Sequence, residues 1–381
     1  MNWKHVSLGE ISVNIQTGPF GSQLHQSDYS EKGTPVVMPK DLISGHISEE
    51  SIARVSDDHV ERLSRHKIEV GDILYSRRGD VGRCAFASET EAGWLCGTGC
   101  LRVTIDSRKA NPKFVFYQLL KADTIGWVEK HAVGSTMLNL NTSILSSVPI
   151  DLPSHDKQNH IVGVLSAYDD LIENNQKQIK LLEEAAQRLY KEWFVDLRFP
   201  GHETTPIVDG VPEGWFTAAV TDLLEIRYGK DHKALGDGEI PAYGSGGIIR
   251  RVNKVLYSGE SVLIPRKGSL NNILLVCGDF WTIDTMFYSI PKRPNIAKYI
   301  YLYLSGVDMY AMNIGAAVPS MTVKILEGMK LLCPTDHVVE SFEETVRPYF
   351  DMIELLKNKI VSLAEARDKL LPKLMSGEIE V

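Results

Sequence analysis

The sequence has few cysteines and no long run of apolar residues. Its 381 residues include only 5 cysteines, too few for the disulfide framework of a small secreted protein. The most apolar window, Tyr299–Val318, is interrupted by Asp308 and by glycines, so we expect no membrane span. The first residues contain no apolar stretch typical of a secretory signal. These absences favour a cytoplasmic protein, long enough for two domains with hydrophobic cores.

Motifs of the common catalytic and metal sites are absent as well. The sequence has no GxxxxGK[ST] loop, no GxSxG turn and no HExxH motif, which argues against several classes of hydrolase. Cys96 and Cys100 have a poor spacing for zinc and no second pair. Asn111-Pro112 is followed by Lys113, whereas adenine methyltransferases use a second proline and an aromatic residue to clamp the flipped base. We therefore expect a non-catalytic protein with no metal and no cofactor of its own.

The charge balance is acidic overall but uneven along the chain. The formal net charge is -8, which argues mildly against a nucleic-acid partner. Most of the negative excess, however, lies in two segments, 154–200 and 335–381. The remainder is nearly neutral and contains adjacent basic pairs, which can bind phosphate although the whole molecule is acidic. These pairs are Arg77-Arg78, Arg250-Arg251 and Arg266-Lys267.

An internal repeat runs through the sequence. The segment YDDLIENNQKQIKLLEEA (Tyr168–Ala185) matches YFDMIELLKNKIVSLAEA (Tyr349–Ala366) without a gap, and the match extends from Gly134–Leu197 onto Gly315–Glu378. Upstream, GDILYSRRG resembles GESVLIPRKG. A period of this length indicates a tandem duplication. In both copies short β-rich runs (DILYS and CLRVTI, SVLIP and NILLVC) precede a helical pattern, NPKFVFYQLLKA or NIAKYIYLYLSG, which predicts mixed α/β domains.

The repeated segments carry apolar residues at heptad spacing. Steps of four and three residues alternate along both, which is typical of a coiled coil; a surface helix packed on its own domain is the alternative. Two polar seam positions, Asn175 and Arg367, are suited to fixing the register. Because the ends of a compact domain often lie close together, the second helix should begin where the first ends, which makes the pair antiparallel. The predicted seam residues are Ile161, Leu165, Tyr168, Ile172, Ile179, Leu182, Leu189, Phe342, Val346, Tyr349, Ile353, Leu356, Ile360, Leu363 and Leu370.

These features predict the fold class and a division of the chain. We expect an α+β fold with two mixed α/β domains joined by two long helices, which form an antiparallel coiled coil in a pseudo-twofold tandem duplication. The first domain covers residues 1–153, and the central helix covers 154–198. A linker with the second domain covers 199–334, and the C-terminal helix covers 335–381.

Two elements shared by the copies are candidates for binding DNA. The basic turns after DILYS and SVLIP combine glycine, which permits close approach, with arginine, whose planar donors match base edges; solvated strand ends are the alternative. The loop GSTMLNLN and its counterpart GAAVPSMT suit backbone donation to phosphate, and a simple loop explains them equally well. The candidate DNA-binding residues are Arg77, Arg78, Gly79, Arg83, Gly134, Ser135 and Thr136 in the first copy, and Tyr243, Ser245, Arg250, Arg266, Lys267, Ser269, Asn271 and Asn272 in the second.

Several longer stretches resemble one known family. GDILYSRRGDVGRCA, YGSGGI, LIPRKGS, FWTIDT, RLYKEWFVDL and LLPKLMSGEI are similar to segments of the DNA specificity (S) subunits of type I restriction-modification systems, and the resemblance covers essentially the full length. It implies two target-recognition domains, each of which reads one half of a bipartite, asymmetric site in double-stranded DNA. It also implies that the chain itself is not catalytic.

The resemblance further implies partners. The two long helices would hold two modification subunits, which contain S-adenosylmethionine and methylate adenine. Two restriction subunits, which are translocases and nucleases that use ATP and Mg, would join them. A non-catalytic coiled-coil scaffold whose two modules bind other proteins is the alternative, and the basic turns in both copies favour DNA over it. An enzyme of unknown type comes third.

Overall fold

The computed structural model describes residues 3–134, 137–313 and 319–380. The chain forms two compact units. Unit 1 comprises Met1–Glu173 with Ile360–Val381, and unit 2 comprises Asn174–Lys359. Each unit therefore contains a mixed α/β part and one stretch of each of two long helices. The four-part division proposed from the sequence stays a prediction.

Unit 1 holds the first set of strands and helices. The strands are β1 (Lys4–Ser7), β2 (Ser12–Thr17), β3 (Tyr29–Ser30), β4 (Thr34–Val37), β5 (Leu42–Ile43), β6 (His46–Ile47), β7 (Ala53–Val55), β8 (Ile73–Ser76), β9 (Cys84–Phe86), β10 (Leu95–Cys96), β11 (Cys100–Ile105) and β12 (Pro149–Leu152). The helices are α1 (Leu8–Ile11), α2 (Asp57–Arg62), α3 (Pro112–Leu119), α4 (Ala122–His131), α5 (Thr142–Ser146) and the first part of the long α6 (His155–Tyr190).

An antiparallel sheet in the order β2-β11-β8-β9 forms the centre of unit 1. Its strand β8 is buried on both faces. Successive side chains of a strand point to opposite sides, and here each side faces a core. Ile73 and Tyr75 enter the core that contains α3, whereas Leu74 enters a second core with β4 and β10. A second sheet, β10-β4-β7-β3, supplies those two strands, which pair in parallel. The run DILYS is thus a central strand between two cores.

Unit 2 holds the second set. The strands are β13 (Ile207–Val208), β14 (Val211–Pro212), β15 (Phe216–Ala219), β16 (Leu224–Tyr228), β17 (Ile240–Gly244), β18 (Gly247–Val252), β19 (Tyr257–Ser258), β20 (Ser261–Pro265), β21 (Leu274–Val276), β22 (Asp279–Thr282), β23 (Met286–Pro291) and β24 (Lys330–Cys333). The helices are α7 (Val220–Leu223), α8 (Ala297–Ser305), α9 (Val323–Gly328) and the first part of the long α10 (Asp336–Ser376).

The two units share one topology. The central sheet of unit 2, β16-β23-β20-β21, corresponds strand for strand to β2-β11-β8-β9. The parallel pair β17–β22 corresponds to β4–β10. In both units an early strand pairs antiparallel with the strand that precedes a long helix: β1 pairs with β12, which precedes α6, and β15 pairs with β24, which precedes α10. The predicted mixed α/β domains and tandem duplication are confirmed.

The Asn-Pro pair in the first copy begins a helix. The Asn111 side chain accepts hydrogen bonds from the backbone N–H groups of Lys113 and Phe114 at 2.9 and 3.2 Å, and Pro112 occupies the first helical position of α3. An asparagine cap followed by proline is a common helix start, because neither the cap nor the proline leaves a backbone donor unpaired. The pair therefore has a structural role at this place.

In unit 1 the two long helices run antiparallel. Lys157 Nζ of α6 lies 3.7 Å from Glu380 Oε1, just beyond the end of α10. Further along α6, Asp169 Oδ1 accepts a hydrogen bond from Arg367 Nη1 at 2.8 Å. Residue numbers rise along one helix while they fall along the other, which fixes the direction.

In unit 2 the end of α6 packs against the beginning of α10. The ring of Tyr190, the last residue of α6, and that of Trp193, in the π-helical turn that follows, lie 6.5 and 5.5 Å, centroid to centroid, from the ring of Phe342. Every predicted seam residue is buried or half-buried. By contrast Leu181 and Leu355, which lie outside the predicted seam, are 64% and 60% exposed. Burial along both helices follows the heptad spacing.

Candidate nucleic-acid interface

The basic turn of unit 1 is held by three backbone hydrogen bonds. It follows β8, and the Arg77 N–H donates to the Gly99 carbonyl at 2.7 Å. The Arg77 carbonyl accepts from Leu140 N–H at 2.8 Å, and Gly79 N–H donates to Leu138 O at 3.1 Å. Gly79 has φ +76°, a conformation that glycine adopts without the steric cost of a Cβ. The turn is therefore fixed by main-chain contacts on two sides.

The basic turn of unit 2 repeats this pattern after β20. Arg266 N–H donates to Thr285 O at 2.8 Å, and the Arg266 carbonyl accepts from Met321 N–H at 2.8 Å. Gly268 N–H donates to Pro319 O at 3.0 Å, and its φ is +88°. In each unit the basic turn lies beside the small-residue loop that the sequence singled out separately. The structure thus brings two predicted elements together in one surface.

Each turn also contains an arginine placed over an aromatic ring. The guanidinium carbon of Arg77 lies 5.7 Å from the centre of the Phe20 ring, and that of Arg266 lies 5.4 Å from the centre of the Tyr228 ring. Such distances allow a cation–π attraction. The rings are 50% and 54% exposed, so they contribute to the same surface. Neither ring was predicted from the sequence. The available signal was an aromatic residue next to a glycine near the end of β2 and of β16, the first strand of the central sheet in each unit.

The chain matches the family of the type I restriction modification DNA specificity domain over residues 1–184. The MjaIX specificity subunit of Methanocaldococcus jannaschii is 26% identical, covering 91% of this chain and 87% of that protein. The HindI specificity subunit of Haemophilus influenzae is 22% identical, covering 99% and 100%. The crystal structure of a type I S subunit from M. genitalium shares the fold, with a TM-score of 0.57 and 18% identity over 98% of this chain and 96% of that one.

This chain resembles the type I restriction-modification specificity subunits along nearly its whole length. The resemblance stated from the sequence is confirmed, and a scaffold that binds only proteins is not favoured. The family match covers the first copy alone. The second copy is recognised through the shared topology and through relatives that align along nearly the whole chain.

The other four predicted basic residues of this chain fall into two groups. Arg78 and Lys267 are exposed. Arg83 and Arg250 instead have acidic partners, since Arg83 Nε donates to Asp80 at 2.6 Å and Arg250 Nη2 donates to Asp237 at 2.8 Å. A paired arginine must exchange its carboxylate for phosphate when it binds DNA, which reduces its net contribution.

The predicted polar residues of unit 2 largely hold loops in place. Asn271 accepts from the Met309 N–H at 2.8 Å, and the Asn272 side chain donates to the Ser245 carbonyl at 2.8 Å. The side chain of Ser269 is exposed, and burial raises the pKa of the half-buried Tyr243 hydroxyl. Amides engaged in this way position the turn and have fewer free donors for bases.

Part of the small-residue loop lies outside the described residues. Ser135 and Thr136 of the first copy are among these, as are residues 314–318 of the second. Gly134 is described and has φ +127°, and a Cβ there would lie 2.3 Å from the Met137 carbonyl oxygen. Glycine is therefore required at the start of this loop.

The residues that the structure describes show neither a metal cluster nor a membrane-spanning helix. Among them, no group of three or more His, Cys, Asp or Glu side chains is placed to hold a metal ion. None of the helices in the described part of the chain is long and apolar enough to cross a membrane.

Proposed function

We propose that this chain gives a type I restriction-modification complex its DNA sequence specificity, with each unit reading one half of a bipartite site. The observation that carries this proposal is the recurrence of the basic turn. In both units three equivalent main-chain hydrogen bonds hold the turn at the end of the central strand. Main-chain contacts fix where the turn lies but leave its side chains free to differ. Because the surrounding residues differ between the units, the two half-sites differ and the site is asymmetric.

We further propose that the long helices bind two modification subunits, which hold S-adenosylmethionine and methylate adenine. Two restriction subunits, with ATP and Mg²⁺, complete the complex in the cytoplasm. The chain contributes recognition and no catalytic group. Exposed apolar side chains outside the seam, such as Leu181 of α6 and Leu355 of α10, supply surface suited to protein partners.

Methylation mapping tests the DNA-reading role. The chain is expressed with its modification subunit in a host that lacks type I systems, and methylated adenines are located by long-read sequencing. We expect one bipartite, asymmetric motif with unread bases between its halves. Expression of the modification subunit alone is the control and should give no such motif. A palindromic motif, or methylation without any motif, contradicts the proposal.

A binding assay tests the role of the partners. In a gel shift at physiological salt, the isolated chain should bind DNA weakly or without specificity. Addition of two modification subunits per chain should produce tight binding to the mapped site. Equal specificity with and without these subunits contradicts the docking role of the helices. Assembly with no discrimination between DNA sequences instead supports the scaffold alternative.

A further inference from the structure

The contact between arginine and ring is made from different positions in the two copies. Gly18 N–H donates to Cys100 O at 2.9 Å, and Gly229 N–H donates to Met286 O at 3.2 Å. Cys100 directly follows Gly99, whose carbonyl accepts from Arg77 N–H, and Met286 directly follows Thr285, whose carbonyl accepts from Arg266 N–H. Gly18 and Gly229 therefore occupy equivalent places.

The ring, however, comes from non-equivalent positions. Phe20 lies two residues after its glycine, whereas Tyr228 lies one residue before its own. Common ancestry of the copies does not explain a contact made from different positions. A requirement on the guanidinium itself explains it, because both rings support the first basic residue of the turn, Arg77 or Arg266.

The two basic positions of the turn also differ in chemistry. The first is arginine in both copies, and the second is arginine in one and lysine in the other. The planar guanidinium can make two parallel hydrogen bonds to a base edge, whereas the ammonium acts as a point charge. A point charge is sufficient for a phosphate contact, which carries no sequence information. Only the first position therefore retains the geometry that base recognition needs.

Burial and contacts separate the two positions in the same way. Arg77 and Arg266 are half-buried, and Arg78 and Lys267 are exposed. Arg266 Nη1 also donates to the Asp284 carbonyl at 3.0 Å, which fixes the plane of its guanidinium and leaves other donors available. A side chain that is already oriented loses less conformational freedom when it binds. An exposed and flexible cation suits the charged DNA backbone instead.

We propose that Arg77 and Arg266 each contact a guanine in their half-site, while Arg78 and Lys267 neutralise phosphates. Phe20 and Tyr228 are positioning residues that orient the two guanidinium groups. This assignment rests on the proposed DNA-reading function and adds which side chain of each turn carries the specificity. Each half-site accordingly contains a G·C pair whose guanine O6 and N7 face the turn.

The test uses the complex with modification subunits and a duplex carrying the mapped site, by fluorescence anisotropy over a range of KCl concentrations. Arg77→Ala and Arg77→Lys should weaken binding to the mapped site by about 10- to 100-fold with little effect on non-specific DNA. Arg78→Ala should weaken both DNAs alike and lower the slope of log K against log [KCl] by about 0.9. At the other half-site, Arg266→Lys should weaken binding to the mapped site as Arg77→Lys does, and Lys267→Ala should weaken both DNAs as Arg78→Ala does.

Replacement of guanine by 7-deazaguanine removes the N7 acceptor and tests the contact directly. At one guanine per half-site it should weaken wild-type binding. The same replacement should cost the Arg77→Ala complex nothing more at the first half-site, and Arg266→Ala should show this at the second.

The rings are tested with a matched pair of variants. Tyr228→Phe keeps the ring and should bind as wild type, whereas Tyr228→Ala should lose discrimination at its half-site only. Circular dichroism and assembly with the modification subunits show whether each variant folds. If an alanine variant does not fold, Arg77→Lys and Tyr228→Phe still test the proposal.

The possible results separate this inference from the proposed function. If the wild-type complex does not distinguish the mapped site from a scrambled duplex, the DNA-reading function itself fails. If it does so but Arg77→Lys retains full discrimination, or Arg78→Ala loses it, the division of roles is wrong. Equal damage from Tyr228→Phe and Tyr228→Ala removes the positioning role of the ring.

Discussion

A buried ion pair holds the two long helices together in unit 1, and its removal gives a quantitative prediction. Asp169 accepts from Arg367 at 2.8 Å and from the Tyr117 hydroxyl at 2.5 Å. The side chains of Asp169 and Arg367 are 9% and 16% exposed. Burial opposes the charge on Arg367, but hydrogen bonds to Asp169 and Asp368 outweigh it and raise the pKa of the guanidinium above its ordinary value. Arg367 therefore stays charged at neutral pH.

Arg367→Ala leaves the Asp169 carboxylate buried with one hydroxyl donor. Loss of one partner of a buried pair typically costs about 3–5 kcal/mol, and because Arg367 retains some solvent contact we expect about 2–4 kcal/mol. For a unit of this size that corresponds to a fall in melting temperature of roughly 4–16 °C. Arg188→Ala is the matched control, since Arg188 forms an exposed pair with Glu184 on α6 and should change stability by less than about 1 kcal/mol.

Hydrogen exchange measured by mass spectrometry is the suitable assay, because a chain with two units need not unfold in one step. Peptides from α3, from the first part of α6 and from the last part of α10 should lose protection in Arg367→Ala. Peptides from unit 2 should keep theirs. If Arg367→Ala and Arg188→Ala give the same exchange in unit 1, the ion pair does not stabilise the helices and the reasoning is wrong.

The second copy offers a further arrangement to test. At the offset of 181 residues, Asp169 corresponds to Phe350 and Arg367 corresponds to Ala186, and the Phe350 ring lies 5.7 Å from that of Tyr301. The double variant Asp169→Phe with Arg367→Ala removes both charges and gives unit 1 the apolar residues that the second copy has at these positions. It should recover part of the stability that Arg367→Ala loses, since no unpaired charge stays buried.

Four other variants have defined outcomes. Burial, together with the neighbouring arginines, lowers the pKa of His66 to about 4. The stability that neutral His66 contributes is therefore complete above pH 6.5 and is lost as the pH falls towards 4. Over that interval the free energy of unfolding of unit 1, measured by urea titration, should fall by about 2–3 kcal/mol less in His66→Gln than in wild type. Gly79→Ala and Gly268→Ala place a Cβ at positive φ, at a cost of roughly 1–2 kcal/mol, and each should weaken binding to its own half-site in the anisotropy assay. Lys298→Met leaves Glu343, 4% exposed, without its 2.8 Å partner but with the 3.2 Å hydrogen bond from Arg347. It should lower the stability of unit 2 by about 2–4 kcal/mol, less than for a wholly unpaired buried charge, visible as faster hydrogen exchange in α8.

Local patterns made much of the fold predictable. The heptad steps place Leu165 and Ile353 in buried positions, because helix periodicity determines which side faces a partner. DILYS and SVLIP form buried strands, since a short apolar run bounded by glycine suits the centre of a sheet. The antiparallel direction followed from connectivity, which depends only on where the domain begins and ends.

Contacts between distant residues were not predictable in the same way. The hydrogen bond from Leu140 to Arg77 and the approach of Arg77 to Phe20 depend on how loops from separate strands meet. Arg367 was recognised as a polar residue in the seam, but its partner Asp169 lies on the other helix and outside the predicted heptad. These residues follow no helical or strand periodicity, so a single sequence does not indicate which of them lie in contact.

The backbone hydrogen bonds that hold each turn have a consequence for how readily the strength of DNA binding can change. The bond from Gly79 N–H to Leu138 O, and its counterpart from Gly268 to Pro319, involve no side chain of the neighbouring basic residues. Exposed surface substitutions away from such contacts usually change stability by less than about 0.5 kcal/mol. Variation at Arg78 or Lys267 is therefore nearly free of any folding cost. A library randomised at these two positions should yield mostly folded proteins, so that selection among its members acts on how tightly they bind DNA and not on the sequence they read.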